Sequence, residues 1–146
     1  MRYLLIILCF FVQSSWSQLK TYSFSQLDSL QVNEPKPVVI FLHTNWCKYC
    51  TLMNKSTLTN SKVIEELNTR FYFISFDAES REDICFNGVL YSYEPLGMNK
   101  GTHALVKNFN ISTYPGFVFL NPRNDVLVTQ ESYFTTQQFL QLLALF

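Results

Sequence analysis

Val38-Val39-Ile40-Phe41-Leu42-His43-Thr44-Asn45-Trp46-Cys47-Lys48-Tyr49-Cys50 is the stretch from which the rest of the chain can be read. Its first five residues are apolar and mostly β-branched, the pattern of a strand buried on both faces. Polar residues then turn the chain into two cysteines separated by two residues. Thr51 to Lys55 contains no Gly or Pro, so a helix can follow and Cys47 falls at its N-terminus. Unpaired backbone N–H groups and the helix dipole favour an anion there, which stabilises a thiolate. Lys48 adds a positive charge beside it. Such surroundings make a cysteine a nucleophile rather than a packing residue.

The length of 146 residues is one domain's worth. Met1-Arg2, the apolar block Tyr3 to Val12 and the small residues of Ser15-Trp16-Ser17 form the pattern of a secretory signal, expected to be cut after Ser17. The apolar block, at roughly ten residues, is too short to span a membrane, which takes about 20. Cys9 leaves with it, and residues 18–146 keep Cys47, Cys50 and Cys85. Without Arg2 the acidic residues outnumber the basic by one. That balance, with no basic run, argues against nucleic acid and against a membrane surface as partners. Three cysteines are too few for a disulfide scaffold, but export would put them where disulfides persist.

Along the chain, Tyr22-Ser23-Phe24 reads as a short first strand and Ser25 as the cap of a brief helix through Leu27 and Leu30. Glu34-Pro35-Lys36-Pro37 forces extended backbone into the buried strand. Asn60 or Ser61 can cap a helix with Val63, Ile64 and Leu67 on one face, and Phe71 to Phe76 is a further strand closing at Asp77. Together these make a βαβ unit with an expected right-handed crossover. Ile84-Cys85-Phe86, Asn87-Gly88 and Val89-Leu90-Tyr91 spell a hairpin with a type I′ turn, inserted around residues 79–101 and followed by a loop through Pro95, Gly97 and Gly101. Thr102 is the expected cap of a short helix bearing Leu105, Val106 and Phe109. Phe117 to Leu120 and Val126 to Val128 read as antiparallel strands. Thr135 or Thr136 starts a last helix with Phe139, Leu140, Leu143 and Phe146 inside.

This order of elements, Trp46-Cys47-Lys48-Tyr49-Cys50 after a buried strand, and Tyr114-Pro115 before a later one resemble the thioredoxin superfamily. The resemblance extends to exported thioredoxin-like proteins with a Trp-Cys-x-x-Cys motif and to the thioredoxin-like domains of periplasmic disulfide reductants. It implies an α/β thioredoxin fold over residues 18–146, a mixed central sheet flanked by helices and interrupted by the insertion. It further implies that Cys47 is the exposed attacking thiol and Cys50 the resolving one, with Trp46 as an aromatic wall. Lys48 and Tyr49 would tune the thiolate, and Pro115 would be a cis-proline that leaves the Tyr114 backbone free to pair with substrate. The chain departs from the thioredoxins proper at Phe41, where they carry a buried Asp, and at Tyr114 and Gly116 around the proline. Deprotonation of Cys50 must then rely on water or another group.

The expected function is thiol–disulfide oxidoreductase, a monomeric reductant of disulfide-bonded client proteins in a bacterial periplasm. A membrane-bound or soluble thiol reductant would supply its electrons, and no cofactor or resident metal is called for. Two other classes stay open. One is copper or zinc handling by Cys47, Cys50 and a histidine, for which His43, His103 and Cys85 are the further candidate ligands. The other is a non-catalytic interaction domain with the hairpin as its contact surface. His43 reads as a packed histidine before a proton carrier. Cys85 reads as a small buried hydrophobe before a third redox thiol.

Overall fold

Along strand β1 (Val38–His43), side chains point alternately to the two faces of a sheet, and all five apolar residues from Val38 to Leu42 are buried. Val38, Ile40 and Leu42 join one hydrophobic cluster and Val39 and Phe41 join the other. The computed structural model that shows this describes residues 18–146; the proposed signal segment, residues 1–17, lies outside them.

The central sheet has the order β2-β1-β7-β8, built from β1, β2 (Tyr72–Asp77), β7 (Gly116–Leu120) and β8 (Val126–Gln130). β1 and β2 are parallel, and β7 is antiparallel to both β1 and β8. The sheet is therefore mixed, as the sequence implies. One face packs Phe24 and Leu27 of α1 (Phe24–Asn33) with Leu105 and Val106 of α4 (Ala104–Asn108). The other takes Met53 of α2 (Lys48–Lys55), Val63 and Leu67 of α3 (Ser61–Arg70), and Phe139 and Leu143 of α5 (Thr136–Leu143). Each such side chain contributes about 1.5–3 kcal/mol by leaving water. Asn60 caps α3 by accepting from the Lys62 amide at 3.0 Å, and Thr135 caps α5. Phe146 stacks on Phe119 beyond the end of α5.

The chain departs from the sequence reading at three places in this frame. Tyr22-Ser23-Phe24 is not a strand: Ser23 is the N-cap of α1, and the Gln26 side chain accepts its backbone N–H at 2.9 Å. That reciprocal cap draws Phe24 into the helix, and Tyr22 keeps one backbone bond to Phe73. The hairpin of β3 (Ile84–Phe86) and β4 (Val89–Tyr91) forms around Asn87 and Gly88, both at positive φ. In place of the expected loop, the chain then makes a second hairpin, β5 (Tyr93–Gly97) with β6 (Lys100–His103). The cap of α4 is His103, not Thr102. Its Nδ1 accepts from the Leu105 amide at 3.2 Å, and its Nε2 donates to the Glu82 carbonyl at 2.9 Å. Thr102 instead donates its hydroxyl to the Ala78 carbonyl.

Sheet register brings three segments to one end. His43 stands beside Asp77, and Leu42 beside Gly116. The cysteine loop after β1, the insertion after β2 and the Tyr114-Pro115 loop before β7 therefore leave the sheet side by side.

Candidate active site

Cys47 ends the loop that leaves β1 and is itself the N-cap of α2, with extended backbone. Its amide donates to the Thr44 carbonyl at 3.3 Å, and its Sγ accepts from the Cys50 amide at 3.1 Å. Sulfur thus takes the role that a Ser or Asp oxygen usually plays at this position. A charged Sγ there would gain from both that N–H and the helix dipole. One helical turn brings the Cα atoms of Cys47 and Cys50 to 5.3 Å, inside the range a disulfide needs, and the two sulfurs are bonded.

With the bond formed, Cys47 is 5% exposed and Cys50 2%. The sequence expectation of an exposed Cys47 needs correcting for this state. Both sulfurs lie in the same apolar cluster as Met53 and Phe117, with Tyr114 packed against it. The residual exposure still favours Cys47.

Trp46 precedes Cys47, its ring edge-on to Tyr114 at 6.0 Å. Its Nε1 donates to Glu79 Oε1 at 3.0 Å. Lys48 and Tyr49 are exposed on the first turn of α2, and Tyr49 leans on Tyr133 at 6.0 Å between ring centres. The Tyr114–Pro115 peptide bond is cis, and Pro115 is buried. Burial pushes the Tyr114 phenol above its usual range, against a hydrogen bond with Thr102 that works the other way.

Phe41 is fully buried, 5.1 Å from the ring of Phe117 and 5.3 Å from that of His43. His43 falls on the Phe41 face, and burial lowers its pKa from 6.5 while Asp77 pulls the other way. The unfolded chain therefore takes up this proton first on acidification. Its contribution to stability is full above 6.5, the unfolded value, and is lost as pH falls below it. Urea midpoints measured from pH 7 to 5 are expected to fall less steeply in His43→Asn than in the unaltered protein.

Two residues that the sequence reading passes over hold the site from a distance. Glu79 fixes the Trp46 indole. Glu131 Oε2 accepts from the Ser112 amide at 3.0 Å, the Thr113 hydroxyl at 2.7 Å and the Thr113 amide, and so clamps the segment that enters Tyr114-Pro115. The Thr113 hydroxyl first, and then the backbone amides against a small cost of burial, hold the Glu131 carboxyl below its usual range. That contribution is present above the ordinary carboxylate pKa and is lost as pH falls through the lowered one. Glu131→Gln is expected to cost about 1 kcal/mol in urea unfolding, a modest figure because the carboxylate is exposed. It should also speed hydrogen exchange at the Thr113 amide. Neither Glu carries a sequence signal, since each acts across 18 or more residues.

The remaining candidates lie elsewhere. Cys85 is a free, exposed thiol rather than a buried one, because Phe86 takes the inward position of β3 and alternation turns its neighbour out. His103 has both ring nitrogens engaged. Among the described residues no three His, Cys, Asp or Glu side chains are grouped to share a metal ion, so the metal-handling alternative finds no ligand set there.

The sequence matches the family of thioredoxin-like domains over residues 24–146. No curated protein matches closely enough to count as a relative. Among solved structures, a thioredoxin from Thermus thermophilus is 21% identical, with a TM-score of 0.65, covering 88% of this chain and 86% of its own. The oxidised C-terminal domain of DsbD from Neisseria meningitidis is 20% identical, with a TM-score of 0.58 and coverage of 83% and 90%. The DsbH oxidoreductase is 15% identical, with a TM-score of 0.62 and coverage of 86% and 81%. These likenesses speak for the fold, and the family match spans nearly all of the described residues: the chain belongs to the thioredoxin-like domain family.

Proposed function

We propose that the protein is a thiol–disulfide oxidoreductase that reduces disulfides of client proteins outside the cytoplasm, in a periplasm reached through the segment ending at Ser17. The observation that carries this reading is the Cys47 Sγ, bonded to Cys50 while it caps α2.

The reduced form starts the reaction. The Cys47 thiolate attacks one sulfur of a client disulfide; that S–S bond breaks, a Cys47–client bond forms, and the departing client thiolate takes a proton. Cys50 then loses its proton and attacks Cys47 Sγ. This breaks the mixed disulfide, releases the second client thiol and leaves the Cys47–Cys50 bond. Two electrons have passed from the dithiol to the client. A membrane-bound or soluble thiol reductant returns them by the same exchange. The helix N-terminus favours Cys47 in both directions, as attacking thiolate and as leaving group. With Phe41 in place of an acid, the Cys50 proton goes to water.

Lys48 next to Cys47 and the Tyr114 backbone ahead of the cis-proline complete the assignment, and the unit acts as a monomer. The purified protein is expected to accelerate the reduction of insulin by dithiothreitol. A rate no faster than dithiothreitol alone would contradict the proposal.

A further inference from the structure

We propose that the second hairpin makes a client-recognition wall beside the disulfide: the cleft between Trp46 and β5–β6 takes a client segment that is apolar and carries a carboxylate near its cystine. This deepens the oxidoreductase reading and rests on it.

The cleft holds about 550 Å³ and is lined by Trp46, Glu79, Leu96, Asn99, Lys100 and Gly101. Trp46 is next in sequence to Cys47, so a segment lying in the cleft has its own sulfur within reach of the pair. The indole is fixed by Glu79 yet remains 65% exposed. A rigid, open aromatic of that kind is a typical anchor for a partner. Leu96 and Met98 are 66% and 95% exposed at the hairpin end. Large apolar side chains clustered at a turn are unusual unless something covers them.

The wall is held in shape from below. The His103 amide donates to the Ala78 carbonyl at 2.8 Å, Glu94 pairs with Lys107, and the Arg81 guanidinium lies 4.7 Å over the Tyr93 ring. Gly101 leaves the room that Tyr93 fills: a Cβ there would sit 2.2 Å from the Tyr93 hydroxyl.

Charge selects the occupant. Glu79 already accepts from the indole. Lys100 makes no ion pair with a described residue and lines the cleft. A client carboxylate gives it the partner it lacks, whereas a client cation meets only Glu79, whose Oε1 the indole already engages.

The test uses two cystine peptides, one flanked by Leu and Glu and one by Leu and Lys, with hydroxyethyl disulfide as a small neutral control. Serine-for-cysteine versions of the peptides are also titrated against Trp46 fluorescence, a readout that needs no thiol chemistry. The unaltered protein is expected to prefer the Glu peptide in both kcat/KM and affinity. Lys100→Glu should lower both for the Glu peptide by roughly 5-fold and raise them for the Lys peptide. The double change Leu96→Ser, Met98→Ser should weaken both peptides by roughly 5-fold, with the control disulfide unaffected throughout. Unchanged preference in Lys100→Glu, or a loss equally large for hydroxyethyl disulfide, would overturn the wall. If no disulfide at all is reduced, the oxidoreductase reading fails, and the fluorescence titration still decides the cleft.

Discussion

Cys47→Ser is expected to abolish disulfide reduction, with a loss of about a thousandfold or more in kcat/KM, while Cys50→Ser leaves the protein trapped on its clients. The asymmetry stems from the helix cap. Only Cys47 Sγ accepts an amide N–H at the start of α2, so only it is stabilised as a thiolate, whereas Cys50 lies deeper and among apolar side chains. Without the second thiol the first exchange proceeds and the second does not. Mixed disulfides through Cys47 should then accumulate in cells and run as reducible bands on non-reducing gels. A non-catalytic interaction domain would behave otherwise, keeping its function in Cys47→Ser and forming no such bands in Cys50→Ser.

The second large effect concerns the core behind the pair. Phe41→Ala should destabilise the protein by about 3–5 kcal/mol, the usual cost of emptying a large aromatic site. Phe41→Asp should cost more. It loses the contacts with Phe117 and His43 and leaves a carboxyl between rings, where its ionised form is poorly tolerated. The place filled by an acid in the thioredoxins proper is here part of a packed aromatic row. Restoring the acid is expected to lower the urea midpoint sharply and to leave kcat unimproved in any protein that remains folded. A Phe41→Asp variant as stable as the parent would mean that the site behind the cysteines is wetter than the packing indicates.

What could be read from the sequence was set locally. The five apolar residues of β1, the Asn87-Gly88 turn, the Asn60 cap and the apolar stripe of α5 each depend on neighbours within a few positions, and each forms where the pattern says. Cys47 at a helix start belongs with them. The second hairpin does not. Pro95, Gly97 and Gly101 read as a loop, and the pairing of β5 with β6 is supported by Arg81, Ala78 and Lys107 from other elements. His103 could not be foreseen as a cap for the same reason: its tautomer is fixed by the Glu82 carbonyl, 21 residues away. Glu79 and Glu131 act only once the sheet has brought three loops to one end. Burial of Cys47 was hidden too, because two sulfurs that bond in one turn shield each other beneath Tyr114.

That burial sharpens the decisive experiment, which is alkylation of the native protein across a graded dithiothreitol redox buffer. Cys47 and Cys50 should open together as a single two-electron couple, and in the reduced protein Cys47 should react with iodoacetamide at neutral pH well before Cys50. A pair that resists reduction until the chain is unfolded, or a reduced Cys47 that stays unreactive at pH 7, would contradict the account.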